Sequence, residues 1–119
     1  MRMLIDGGAI KPLDVALIGA RTLDPNEVEF IANAGIQDSA DAVLDRVDCV
    51  YVALDCDVFD PGEMSVFMPE PGGPTVAEIE KILCGLRDRG AVVGAGLSGL
   101  APEPANVEKL ERLCTALGF

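Results

Sequence analysis

Three short runs along the chain are almost continuously apolar: Val15 to Ile18, Cys49 to Leu54, and Ala91 to Leu97. Runs that do not alternate with polar residues are the pattern of parallel strands covered on both faces, so three buried strands are predicted. Between them the apolar spacing changes to that of helices. Asp24-Pro25-Asn26-Glu27 is a helix start, with Asp24 as cap, Pro25 at the first helical position and Glu27 placed to reach back. Val28 and Ile31 follow at helical spacing, and Gly35 is the predicted stop. A shorter helix is predicted from Ser39 to about Val47, with Val43, Leu44 and Val47 inward. Thr75-Val76-Ala77-Glu78 is a second capping box, followed by a stripe of Val76, Ile79, Leu83 and Leu86. The last helix is predicted from about Pro104 to Leu117, its stripe being Val107, Leu110, Leu113 and Leu117, with Gly118 past its end. A short helix ending at Gly7-Gly8 opens the chain. The order predicts an α/β fold, three layers α/β/α around a small, mostly parallel sheet.

Composition narrows the chemistry. The 119 residues suit one α/β unit, and half of them are apolar, enough for a folded core. A net charge of −11 without a basic run argues against nucleic acid and anionic lipid as partners. The chain has no histidine, which excludes Ser-His-Asp and Cys-His catalysis and any metal site needing an imidazole of its own. Cys49, Cys56, Cys84 and Cys114 form no C-x-x-C pair and read as buried, reduced thiols of a cytoplasmic protein. No apolar stretch approaches the length of a membrane span.

The informative segment is Tyr51-Val52-Ala53-Leu54-Asp55-Cys56-Asp57-Val58-Phe59-Asp60-Pro61. An apolar strand ends and three acids follow, at the end of the strand where open α/β sheets bind ligands. Two residues apart in extended chain means one shared face, so Asp55 and Asp57 are candidate ligands of one cation, with Mg²⁺, Mn²⁺ or Ca²⁺ suited to oxygen donors. Asp60, ahead of Pro61, reads as a brace for the following turn, and Gly72-Gly73 as turn geometry before the Thr75 cap. Tyr51 reads as core or interface, Arg21 as an ion-pair partner of nearby acids, and Met64, Phe67 and Met68 as packing residues. An EF-hand loop does not fit, because the glycine is misplaced. A haloacid-dehalogenase-type phosphatase, which also places D-x-D after a strand, is a remaining alternative.

The run Asp55-Cys56-Asp57-Val58-Phe59-Asp60-Pro61, followed by Pro69-Glu70-Pro71-Gly72-Gly73, resembles the S-x-D-x-D-x-x-D-P and P-x-P-G-G signatures of the arginase/agmatinase (ureohydrolase) superfamily. Ile18-Gly19-Ala20-Arg21 resembles the I-G-x-R strand end of that family. The resemblance implies a pair of Mn²⁺ ions and hydrolysis of a C–N bond in a guanidino or related substrate. It implies Asp55 as the carboxylate bridging both metals and Asp57 as the ligand of one. The family's histidines and two further aspartates belong to motifs that would lie upstream, so the chain is expected to be the C-terminal half of such a protein and inactive alone. Where the family reads G-x-D-x-x-E-x-x-P, this chain has Gly94-Ala95-Gly96-Leu97-Ser98-Gly99-Leu100-Ala101-Pro102. Gly96 replaces the aspartate and Gly99 the glutamate that binds the guanidinium. The segment Gly62 to Met68 likewise lacks the family's P-G-T-G. A non-catalytic assembly domain of the same fold is the alternative, with a homo-oligomer or a missing N-terminal half as partner.

Overall fold

The computed structural model describes all 119 residues, the side chain of Ala91 excepted. Contacts divide the chain into two units, Met1–Val47 and Asp48–Phe119.

In the first unit, α1 (Arg2–Asp6), α2 (Pro25–Ala34) and α3 (Ala40–Leu44) are joined by loops. The Asp24–Glu27 capping box forms in both directions, at 2.9 and 3.0 Å. Gly35 ends α2 in the left-handed region, φ 75°, where a Cβ is disfavoured. The inward face of α2 is not the predicted one. Val28 is exposed, no residue of α2 is buried, and Ile36 beyond its end is buried instead. Val15 to Ile18 is not a strand of the sheet. Its backbone makes one isolated parallel bridge, Ala16 to Gln37, closed by Leu17 N–H to Gln37 O and Gln37 N–H to Val15 O, both at 2.9 Å. The segment satisfies its polar backbone against the end of the α2 connection, which an apolar run alone does not foretell.

In the second unit, β1 (Cys49–Asp55) and β2 (Ala91–Ser98) form a two-stranded parallel sheet. The helix α4 (Val76–Arg89) connects them, and α5 (Asn106–Leu117) follows. The chain is therefore mixed helix and strand with a small parallel sheet. The core joins Leu54, Cys56, Phe59 and Met64 to Val76, Ile79 and Leu83 of α4 and to Leu113, Ala116 and Leu117 of α5. One register irregularity matters. Val50 pairs Val92, but Tyr51 pairs Gly94, so Val93 is an extra residue. Beyond it Ala53 faces Gly96 and Asp55 faces Ser98.

Burial along β1 alternates, with Cys49, Tyr51, Ala53 and Asp55 exposed and Leu54 buried. The strand is covered on one face, not two as its apolar run predicts; α4 and α5 belong to the core on that face. Cys49 is accordingly exposed, while Cys56 is buried and Cys84 and Cys114 are half-buried; all four are free thiols. On α5, Val107 is exposed and its neighbour Asn106 is buried, so the inward stripe starts at Asn106 and continues through Leu110, Leu113 and Leu117. The helix begins two residues later than the sequence suggests, and of the predicted stripe only Val107 faces out.

Candidate carboxylate site

The chain leaves β1 at Asp55 and enters one turn of 3₁₀-helix, Cys56–Val58. Asp57 therefore stands in a turn, not in extended chain. Asp55 Oδ1 accepts the Asp57 N–H at 3.4 Å, so the turn is capped by the first carboxylate of the pair. Cys56, between them, points the other way into the core and is fully buried. Burial, with the charges of Asp55 and Asp57 adding to it, pushes its thiol up to about 11.

The two carboxylates converge at Gly99, just past β2. A Cβ placed on Gly99 would collide with Asp55 Oδ1 and stand 3.1 Å from Asp57 Oδ1. The segment opposite is tied to the same place. Phe67 N–H donates to Gly99 O at 3.0 Å, Met68 N–H donates to Asp57 Oδ1 at 3.4 Å, and Val66 bridges Leu100 in antiparallel sense. Met64 is buried below, but Phe67 and Met68 are exposed beside the carboxylates and are not packing residues.

Asp60 reaches over the next loop, its Oδ2 accepting the Gly72 N–H at 3.0 Å. Its own N–H donates to Pro74 O at 3.1 Å. Gly72 has φ 86°, the conformation this turn requires of it. Glu63 Oε2 accepts the Val76 N–H at 2.9 Å, and the Thr75–Glu78 capping box closes the first turn of α4. The Thr75 backbone N–H and hydroxyl both donate to Glu78 and hold its carboxyl below the usual range.

Tyr51 is exposed and lies along β2. A Cβ on Gly94 would stand 3.1 Å from its ring, and one on Gly96 would stand 2.8 Å from its hydroxyl. Asn106 is the contributor that the spacing of apolar residues passes over. It is 3% exposed and clamps the loop under the site. Ser65 N–H donates to its Oδ1 at 2.9 Å, and its Nδ2 donates to Ser65 O at 2.8 Å and Ala101 O at 3.0 Å. A buried polar residue opening an apolar stripe was the available signal.

The donor set is oxygen only and small. The chain has no histidine, and among the described residues no group of three or more His, Cys, Asp or Glu side chains is placed to hold a metal ion. Asp55 and Asp57 by themselves do not make a two-metal centre, which needs several more ligands. No helix among the described residues is long and apolar enough to cross a membrane.

A parallel β1–α4–β2 unit with carboxylates just beyond the strand ends defines an α/β protein. The chain belongs to the arginase family, whose sequence model matches residues 1–117. It is similar to an arginase of Agrobacterium fabrum, at 32% identity over an alignment of 126 positions covering 91% of this chain and 39% of that one. It is similar also to an N(omega)-hydroxy-L-arginine amidinohydrolase of Streptomyces lavendulae, at 30% identity, covering 89% of this chain and 41% of that one. The arginase structure from Bacillus caldovelox superposes with a TM-score of 0.79 at 26% identity, over 92% of this chain and 44% of that one. The chain thus spans about two-fifths of the length of the curated relatives it matches.

Proposed function

We propose that this chain carries the carboxylate side of an arginase-type site for hydrolysis of a C–N bond in a guanidino or related substrate. Asp55 and Asp57 are the manganese donors in this reading, and the remaining donors come from outside these 119 residues. The observation that carries it is the convergence of both carboxylates at Gly99. The chain's own contribution is to hold those oxygens in place. The 3₁₀ turn presents Asp57, Met68 N–H orients it, and the Asp60–Gly72 bond steadies the neighbouring loop. With two carboxylates and no imidazole, the 119 residues alone do not turn over substrate. Urea release from L-arginine and agmatine, assayed on the purified chain with Mn²⁺, tests this. No release is expected, and turnover would refute the reading. Calorimetric titration with Mn²⁺ should show weak binding that Asp55→Asn and Asp57→Asn each abolish.

A second reading, an assembly domain without catalysis in a cytoplasmic protein, is favoured by the open face of the sheet, where Tyr51 and Val93 are each 65% exposed. Exposed apolar side chains on a sheet face favour cover by a second chain. Light scattering decides it: an oligomer dispersed by Tyr51→Lys supports assembly, and a monomer across the concentration range removes it.

A further inference from the structure

Residues 65–68 run beside the residues that follow β2. Phe67 N–H donates to Gly99 O and Ala101 N–H donates to Ser65 O, both at 3.0 Å, and Val66 bridges Leu100 between them. A two-stranded pairing this short is marginal by itself. Asn106 grips both strands of it at one end. Its buried amide accepts the Ser65 N–H at 2.9 Å and donates to Ser65 O at 2.8 Å and Ala101 O at 3.0 Å. At the other end, three positions beyond Ser65, Met68 N–H donates to Asp57 Oδ1 at 3.4 Å. Lys109, donating to Glu63 O, and Glu63, accepting the Val76 N–H, hold the segment upstream of Ser65.

We infer that Asn106 is a positioning residue for Asp57: its amide sets the register of residues 65–68, and that segment delivers the Met68 N–H to the carboxylate. Asn106 acts through the loop, since its own side-chain bonds go to Ser65 and Ala101. The other acids are held differently. Asp55 accepts the Asp57 N–H from within the 3₁₀ turn, and Asp60 accepts the Gly72 N–H. Asp57 should therefore respond to Asn106 where Asp55 and Asp60 do not. The functional meaning of the inference rests on the donor reading of Asp57, but its geometry does not.

The test uses the full chain without metal, near neutral pH. Carboxyl-carbon NMR resonances of Asp55, Asp57 and Asp60 are followed in Asn106→Ala, in Met68→Pro and in the double variant. Met68 precedes Pro69, and a residue before proline favours the extended region, where proline is tolerated while lacking the N–H that Asp57 accepts. In Asn106→Ala the Asp57 resonance and the Met68 amide should move, and the Asp55 and Asp60 resonances should stay. Met68→Pro should likewise move Asp57 alone of the three. Adding Asn106→Ala to Met68→Pro should then move Asp57 clearly less than Asn106→Ala does in the parent. An unmoved Asp57, an equal movement of all three carboxyls, or an undiminished effect in the Met68→Pro background would overturn the inference. Should Asn106→Ala fail to fold, Asn106→Ser, too short to span Ser65 and Ala101, is read in its place. If neither folds, the amide serves the fold as a whole and the inference falls. Because no metal or substrate enters, failure here is separate from failure of the donor reading. Asp57 moving with Asn106 while Mn²⁺ does not bind would leave the positioning standing and remove the donor role alone.

Discussion

Asn106 holds Ser65 by both of its backbone groups, accepting from the N–H at 2.9 Å and donating to the carbonyl at 2.8 Å. The pair is 41 residues apart in sequence, so one buried amide fastens the start of α5 to the loop that carries Phe67 and Met68 to the carboxylates. Asn106→Ala leaves the Ser65 N–H without its acceptor, while the Ser65 and Ala101 carbonyls keep the Ala101 and Glu103 N–H donors, and should cost about 2 kcal/mol in chemical denaturation. Asn106→Asp is no remedy, since a carboxylate would face the Ser65 and Ala101 carbonyl oxygens. A variant as stable as the parent would show that the clamp contributes nothing.

Two apolar residues of α5 differ sharply in consequence. Leu113 is fully buried among Phe59, Leu83 and Leu54, whereas Val107 is 54% exposed. Leu113→Ala should lose about 3 kcal/mol through its cavity, and Val107→Ala within about 0.5 kcal/mol of nothing. Comparable losses on thermal unfolding would contradict the assigned face of the helix.

Thr75→Ala removes the side-chain half of the α4 capping box and should cost about 1 kcal/mol. It also removes the hydroxyl that donates to Glu78, while the backbone N–H, the larger cause of the lowered carboxyl, stays. A folded pKa below the unfolded 4.5 means stability that is present above pH 4.5 and lost as pH falls through the lower folded value. Acid unfolding of the parent should therefore show a component that Thr75→Ala weakens but does not abolish, read by circular dichroism across that window.

The thiols should separate by reactivity. Cys49 is exposed and should react with a maleimide in the native chain; Cys56 is buried and should react only on unfolding. A thiol raised from 9.0 to about 11 stabilises the fold fully below pH 9 and loses that contribution as pH rises toward 11. Urea midpoints at pH 9 and pH 11 should fall for the parent, and fall less for Cys56→Ala. Labelling of native Cys56 at the rate of Cys49 would place it at the surface.

Local chemistry was the legible part of this fold. Asp24 with Glu27, and Thr75 with Glu78, need only three residues of sequence to find each other, and both boxes form. Gly35 and Gly118 end their helices in the left-handed region for a reason visible in the residue itself. What was not legible depends on a distant partner. Val15 to Ile18 looks like sheet, but an apolar run does not say which backbone completes it. Val28 and Val107 sit at helical spacing, yet spacing does not say which positions find a packing partner, and the buried ones are Ile36, past the end of α2, and Asn106. At the site, Asp55 and Asp57 stood out in the sequence as acids two apart. Their convergence comes with a turn and takes place beside Gly99, 44 positions away from Asp55, which spacing rules do not reach.

The surplus residue at Val93 sets the phase of everything beyond it. Were Val93 paired rather than set aside, the pairing from Cys49 and Ala91 would run on unshifted, and Leu97 rather than Ser98 would arrive beside Asp55. The glycines would turn toward the core and the leucine toward water. Deleting Val93 would thus remove the irregularity and leave every residue beyond it opposite its present partner, whereas taking Val93 into the pairing would exchange inside for outside along the length that borders the carboxylates.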